Sequence, residues 1–251
     1  MHRFFIPPEQ CKPPDLFLTG REAHHALHVL RLRPGDSITV LDGAGHEFLC
    51  KIQKSDRDKV SLSIVEKRDF PSPSNRITLL QALPKGKLMD SIVQKATELA
   101  AFRVVPLLTE RVVVQLSKKD AARKGEKWRM IAAESIKQCG SLWLPQVEDP
   151  VSPEEFLARK EPFDLPLLAS LQSGAAQPRK YFQNFQGKHN RLPNSICIWI
   201  GPEGDFTPKE IEAIKTSGAL PITLGPHVLR TETAAIYCLS ILNYELQASL
   251  G

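Results

Sequence analysis

The 251-residue chain reads as an α/β protein whose mostly parallel sheet carries helices on both faces, preceded by a small β-barrel-type domain. Three features lead there. Up to residue 70, short alternating apolar runs are separated by turn residues. From residue 75 onward, strand-like and helix-like runs alternate, as they do in parallel sheets covered by helices. Between them lies Phe70-Pro-Ser-Pro-Ser-Asn75, where two prolines among small polar residues make an extended, non-helical joint. The expected domains are therefore 1–70 and 75–251.

In the first segment a short helix, about Glu22 to Leu30, precedes the strands. Ser37–Leu41 alternates, Asp42-Gly43 signals a hairpin, Phe48–Ile52 pairs back, and Val60–Val65 alternates again. In the second, Ile77–Leu83 is a near-continuous apolar strand. Lys87–Ala101 is helical, with Leu88, Ile92, Ala96 and Leu99 on one stripe. Val104–Leu108 is a strand and Ala121–Cys139 a long amphipathic helix. Leu165–Leu171, Ile196–Ile200 and Leu220–Leu224 are strands, and Pro208–Thr216 and Glu232–Gln247 are helices.

Hydrophobic residues make up 42% and charged residues 24%, enough for a real core and no wholesale disorder. No apolar run is long enough for a signal peptide or a membrane span. The five cysteines are scattered and never paired as C-x-x-C, which argues against a disulfide framework or zinc and suits a reducing cytoplasm. His24, His25 and His28 include an i,i+4 pair but no third ligand at metal spacing, so no metal is expected. Net charge is +5. The excess sits in residues 71–150, and a clustered basic segment suits a polyanion partner, although many proteins are mildly basic.

Two loops stand out. The apolar run Ile196–Ile200 leads into Gly201-Pro-Glu-Gly-Asp-Phe206, then Thr207-Pro-Lys-Glu210. Thr207 is a good N-cap, Pro208 suits the first helical position, and Glu210 completes a capping box. The second loop repeats the plan: Leu220–Leu224, then Gly225-Pro-His-Val-Leu-Arg-Thr-Glu-Thr233, with Thr231 able to cap the last helix and Glu232 in its first turn. Each loop alone reads equally as a plain strand-to-helix turn. As a pair ending neighbouring strands they make one crevice, at the carboxyl ends where open α/β sheets bind ligands. Arg230 is a cation beside that gap. There is no G-x-G-x-x-G after the first strand, no Walker A loop and no G-x-S-x-G elbow.

Taken in order, these residues resemble the bacterial 16S ribosomal RNA uracil-N3 methyltransferase family, in the SPOUT class. The likeness runs almost end to end. It includes Arg3-Phe-Phe5, Glu22-Ala-His-His25 with Val29-Leu-Arg-Leu32, Pro34-Gly-Asp36, Gln81-Ala-Leu-Pro-Lys-Gly86, Gln94-Lys-Ala-Thr-Glu-Leu99 and Pro106-Leu-Leu-Thr-Glu-Arg111. Gly201-Pro-Glu-Gly204 and Leu224-Gly-Pro226 with Leu229-Arg-Thr-Glu-Thr-Ala234 are its most specific parts. Asp205, Ala100 and Ser141 depart from the family pattern, where glycine, glycine and arginine are usual. The strand end near Leu168–Leu171 also lacks a common acidic residue.

The resemblance implies a PUA-like RNA-holding barrel and a C-terminal domain threaded into a deep trefoil knot. It implies S-adenosyl-L-methionine seated against three loops: Ala169 and Leu171; Ile200, Gly201, Pro202 and Gly204; and Leu224, Gly225, Val228, Leu229 and Thr231. It also implies a homodimer and a substrate in 16S ribosomal RNA or the small ribosomal subunit. Methyl transfer to uridine N3 then places Arg230 as the group stabilising the uridine anion, with Glu232 and Glu203 as orienting groups. Arg3, His25, Arg31, Arg33, Lys85, Arg111 and Lys118 are the expected RNA contacts. A relative acting on another RNA, and a non-catalytic RNA-binding assembly factor, remain open alternatives.

Overall fold

The computed structural model describes residues 2–56, 58–111, 116–171 and 174–247. The chain forms two compact units, Met1–Ser72 with Ala133–Leu144, and Pro73–Ala132 with Pro145–Gly251.

The first unit contains β1 (His2–Phe5), β2 (Asp15–Thr19), α1 (Gly20–His24, continued by a wider helical turn, His25–Val29), β3 (Ser37–Leu41), β4 (His46–Asp56) and β5 (Lys59–Asp69). They form one sheet, ordered β1-β3-β4-β5-β2. Strands β1 and β2 are absent from the sequence reading, although β2 alternates cleanly, burying Leu16 and Leu18. The hairpin at Asp42-Gly43 is built as its sequence suggests: Asp42 Oδ1 accepts from the Ala44 and His46 amides at 2.8 and 3.1 Å. Phe4, Leu18, Ile38, Val40, Phe48 and Leu62 fill the core. Residues 133–144 belong to this unit through polar ties. Lys137 pairs with Glu22 at 2.6 Å, and the Gly45 amide donates to the Leu142 carbonyl at 3.0 Å.

The second unit begins with β6 (Arg76–Ala82), α2 (Leu88–Glu98), β7 (Arg103–Leu107) and α3 (Lys118–Cys139), whose last turns lie in the first unit. It continues with β8 (Gln146–Val147), α4 (Pro153–Ala158), β9 (Leu165–Ala169), α5 (Pro178–His189), β10 (Ser195–Ile200), α6 (Pro208–Thr216), β11 (Leu220–Ile222) and α7 (Thr231–Gln247). Helices α4 and α5 are absent from the sequence reading. The first is short, though Ser152 and Glu155 form a full capping box, and the second is mostly polar.

All six strands run parallel, in the order β11-β9-β10-β6-β7-β8. Successive side chains alternate between faces. Leu80, Ala82, Leu168, Cys197 and Trp199 pack on one side with Phe156 of α4 and Ile211 and Ile214 of α6. The opposite face meets α7, which packs on β6 and β10 and against α2 and α5. Strand β11 sits at the edge, where the missing amide of Pro221 costs no ladder bond.

One detail corrects the sequence reading. The strands ending at Ile200 and Ile222 are not neighbours, because β9 lies between them. Leu165, Leu167 and Leu168 of β9 are all buried, which suits a strand covered on both sides. From the edge strand β11 the chain returns to β6 and β10, on which α7 packs.

The five cysteines are free thiols. No helix among the described residues is long and apolar enough to cross a membrane, and among those residues no cluster of His, Cys, Asp or Glu could hold a metal ion.

Candidate active site

A cavity of about 260 Å3 opens at the carboxyl ends of β9, β10 and β11. Three loops line it: Ala169–Leu171 after β9, Ile200–Asp205 after β10 and Thr223–Leu229 after β11, with Thr231 and Ala234 of α7 closing the floor. Because β9 lies between β11 and β10, its loop sits between the two glycine–proline loops, and the crevice has three walls.

Each loop is held from behind. Phe206 is buried and meets Trp199 edge-on at 6.3 Å, which anchors the far end of the Gly201 loop. Behind it, Thr207 and Glu210 form the expected capping box, and the buried Glu210 carboxylate also accepts from the Glu110 amide at 3.0 Å. Gly201 sits where a side chain would be crowded. A Cβ there would lie 2.9 Å from Asp205 Oδ1 and 3.3 Å from the Phe206 amide nitrogen. Gly225 has φ +109°, in the region that favours glycine. Thr231 Oγ1 donates to the Gly201 carbonyl at 2.7 Å and accepts from Gln81 Nε2 at 2.9 Å, tying α7 to β6 and the β10 loop.

The expected cofactor residues Ala169, Leu171, Ile200, Gly201, Pro202, Leu224, Gly225, Val228, Leu229 and Thr231 all line the cavity, and Gly204 does not. Glu203 lines it as well, its Oε1 accepting from the Lys85 amide at 3.1 Å. Arg230 and Glu232 lie outside the lining. Arg230 is exposed, and among the described residues neither side chain has a hydrogen-bond partner. Asp205, His227 and Ser170 are lining residues that the motif reading did not assign to the site. Asp205 and His227 lie within the two motif loops, and only the fold could aim them inward.

The expected RNA contacts divide. Lys85 and Arg111 meet at the Gly201–Phe206 loop, where the Arg111 guanidinium donates to the Gly204 carbonyl and, at 3.5 Å, to that of Phe206. Lys118 is exposed at the start of α3. In the first unit Arg31 and Arg33 are exposed, while His25 rests 6.0 Å from the Phe4 ring. Arg3 is spent on structure: its Nη1 reaches the Lys137 and Gln138 carbonyls, both at 3.4 Å, where a cation satisfies a helix C-terminus.

The lining chemistry discriminates among ligands. Leu171, Ile200, Val228 and Leu229 offer apolar cover, and the Val228 and Leu229 amides donate to nothing among the described residues. Two carboxylates, Glu203 and Asp205, face the space. No lysine or arginine lines it among the described residues, which disfavours a phosphate-bearing nucleotide and suits a nucleoside carrying positive charge.

The sequence profile of the RNA methyltransferase domain family matches residues 71–243. The chain belongs to this family. Residues 18–65 match the RNA methyltransferase PUA domain. A Bacillus subtilis relative named ribosomal RNA small subunit methyltransferase E is 34% identical, covering 100% of this chain and 99% of its own length. A solved Legionella pneumophila putative methyltransferase, in complex with bound SAM, superposes at TM-score 0.85 with 32% identity, over 98% of this chain and 97% of that one. The Neisseria gonorrhoeae ribosomal RNA small subunit methyltransferase E, bound to S-adenosyl methionine, superposes at 0.83 with 28% identity, over 97% of each chain. The methyltransferase domain thus contains the whole three-loop cavity.

Proposed function

We propose that this protein methylates N3 of a uridine in 16S ribosomal RNA, using S-adenosyl-L-methionine. The observation that carries the reading is the three-loop cavity at the carboxyl ends of β9, β10 and β11, acidic and apolar with no lysine or arginine in its lining among the described residues, and with Arg230 between the lining residues Leu229 and Thr231 in the chain. A nucleoside sulfonium fits that lining. Leu171, Val228 and Leu229 cover its apolar parts and loop amides meet its polar edge.

When bound, the cofactor supplies an electrophilic methyl group. The chain supplies alignment, which can lower such a barrier by about 7–11 kcal/mol. Uridine N3 is a poor nucleophile while protonated, so the anion formed on losing that proton needs a cation. Arg230 is exposed and unpaired among the described residues, hence available for that role. Glu203 at the rim and Glu232 in the first turn of α7 orient the base, which must leave its stack to enter. Lys85, Lys118, Arg31 and Arg33 hold phosphates, and their charge makes binding salt-dependent. The protein works in the cytoplasm as a homodimer. Exposed Leu171 and Val228 at the cavity rim, with Tyr237 and Tyr244 on α7, are the apolar surface that favours a second copy.

The test is nucleoside mapping by mass spectrometry of small-subunit RNA from cells lacking the protein, with add-back of wild type or Arg230→Ala. One 3-methyluridine should vanish and return with wild type alone. Full methylation by Arg230→Ala at unchanged cofactor affinity would remove Arg230 from the mechanism.

A further inference from the structure

We infer that Asp205 is a specificity-determining residue, a carboxylate that favours the cationic sulfonium cofactor over the neutral thioether left after methyl transfer. The inference rests on the cofactor assigned above. Asp205 holds φ +61°, a left-handed conformation that favours glycine. Its Oδ1 is engaged locally, accepting the Phe206 amide at 2.8 Å, and its own amide donates to Pro202 at 2.9 Å. Its Oδ2 has no hydrogen-bond partner among the described residues, and the side chain lines the cavity, half-buried.

The charge balance around this oxygen is one-sided. Among the described residues the cavity has no lysine or arginine, and the nearby Arg111 guanidinium is turned onto the Gly204 and Phe206 carbonyls. Of the two lining carboxylates, Glu203 already has an oxygen on the Lys85 amide at the rim. Asp205 instead folds over Gly201, whose carbonyl accepts from Thr231. A fixed negative charge in a partly desolvated space acts strongly on a ligand that carries a positive charge before transfer and none at sulfur afterwards.

The experiment is titration calorimetry of the full chain with S-adenosylmethionine and with S-adenosylhomocysteine, for wild type, Asp205→Asn and Asp205→Gly. Asparagine keeps the local acceptor and tolerates the left-handed conformation, so it removes charge alone. Glycine relieves the backbone and removes both. In both variants the sulfonium form should bind about tenfold more weakly, roughly 1.4 kcal/mol, while the thioether form changes less than about twofold. Equal weakening of both ligands, or no change in either, overturns the inference and leaves the cofactor reading intact. Wild type that binds neither ligand overturns both.

Discussion

Thr231 Oγ1 donates to the Gly201 carbonyl oxygen at 2.7 Å, across 30 residues of sequence. The same hydroxyl accepts from Gln81 Nε2, so one buried side chain joins β6, the β10 loop and α7. Thr231→Val keeps the shape and strands two polar groups. It should cost about 1–3 kcal/mol in denaturant unfolding and weaken cofactor binding, whereas Thr231→Ser should restore most of both. A valine variant as stable and as tight-binding as wild type would show that the relay is incidental.

Arg111 should behave as a positioning residue of the cofactor loop, since its guanidinium sits on the Gly204 and Phe206 carbonyls. Arg111→Ala should raise KM for the cofactor by about tenfold, the ~1.4 kcal/mol scale of a charged hydrogen bond. KM for RNA should move less. The opposite split in steady-state kinetics would return Arg111 to phosphate binding.

Helix α2 ends with the Ala101 amide on the Ala96 carbonyl at 2.9 Å and Ala100 at φ +53°. This is a Schellman ending in which glycine is the relaxed choice, and it explains why Ala100 departs from the family's glycine at a cost. Ala100→Gly should stabilise the protein by about 0.5–1 kcal/mol, the left-handed penalty less the entropy gained by the unfolded chain. Thermal unfolding with a lower midpoint would contradict that reading.

Asp164 ties the Arg191 guanidinium at 2.9 and 3.0 Å and accepts from the Asn194 amide, and the arginine above all holds its carboxyl down to about 2. Its folded value lies below the ordinary 3.8. The stabilisation is therefore complete above about pH 4 and is lost as pH falls through about 2. Asp164→Asn should be less stable than wild type at neutral pH, and the difference should shrink across that acid window. A constant gap between the two acid-unfolding curves would refute the linkage.

Local signals account for a large part of this molecule. The proline-rich joint, the alternation of apolar runs and the Thr207–Glu210 capping box depend on near neighbours in the chain. They located most of the parallel strands, and α6 to the residue. The two glycine–proline motifs marked the loops, since close approach and left-handed backbone favour glycine. Long-range pairing carried no such mark. Nothing local in Leu165–Ala169 says that it separates β10 from β11, or that Asp205 turns inward while Arg230 stays outside. Nor could a motif reveal that Arg3 would be absorbed by the carbonyls of residues 137 and 138. Strand order and side-chain direction are settled by which buried faces fit together between segments far apart in the chain, and that packing exists only once the chain has folded.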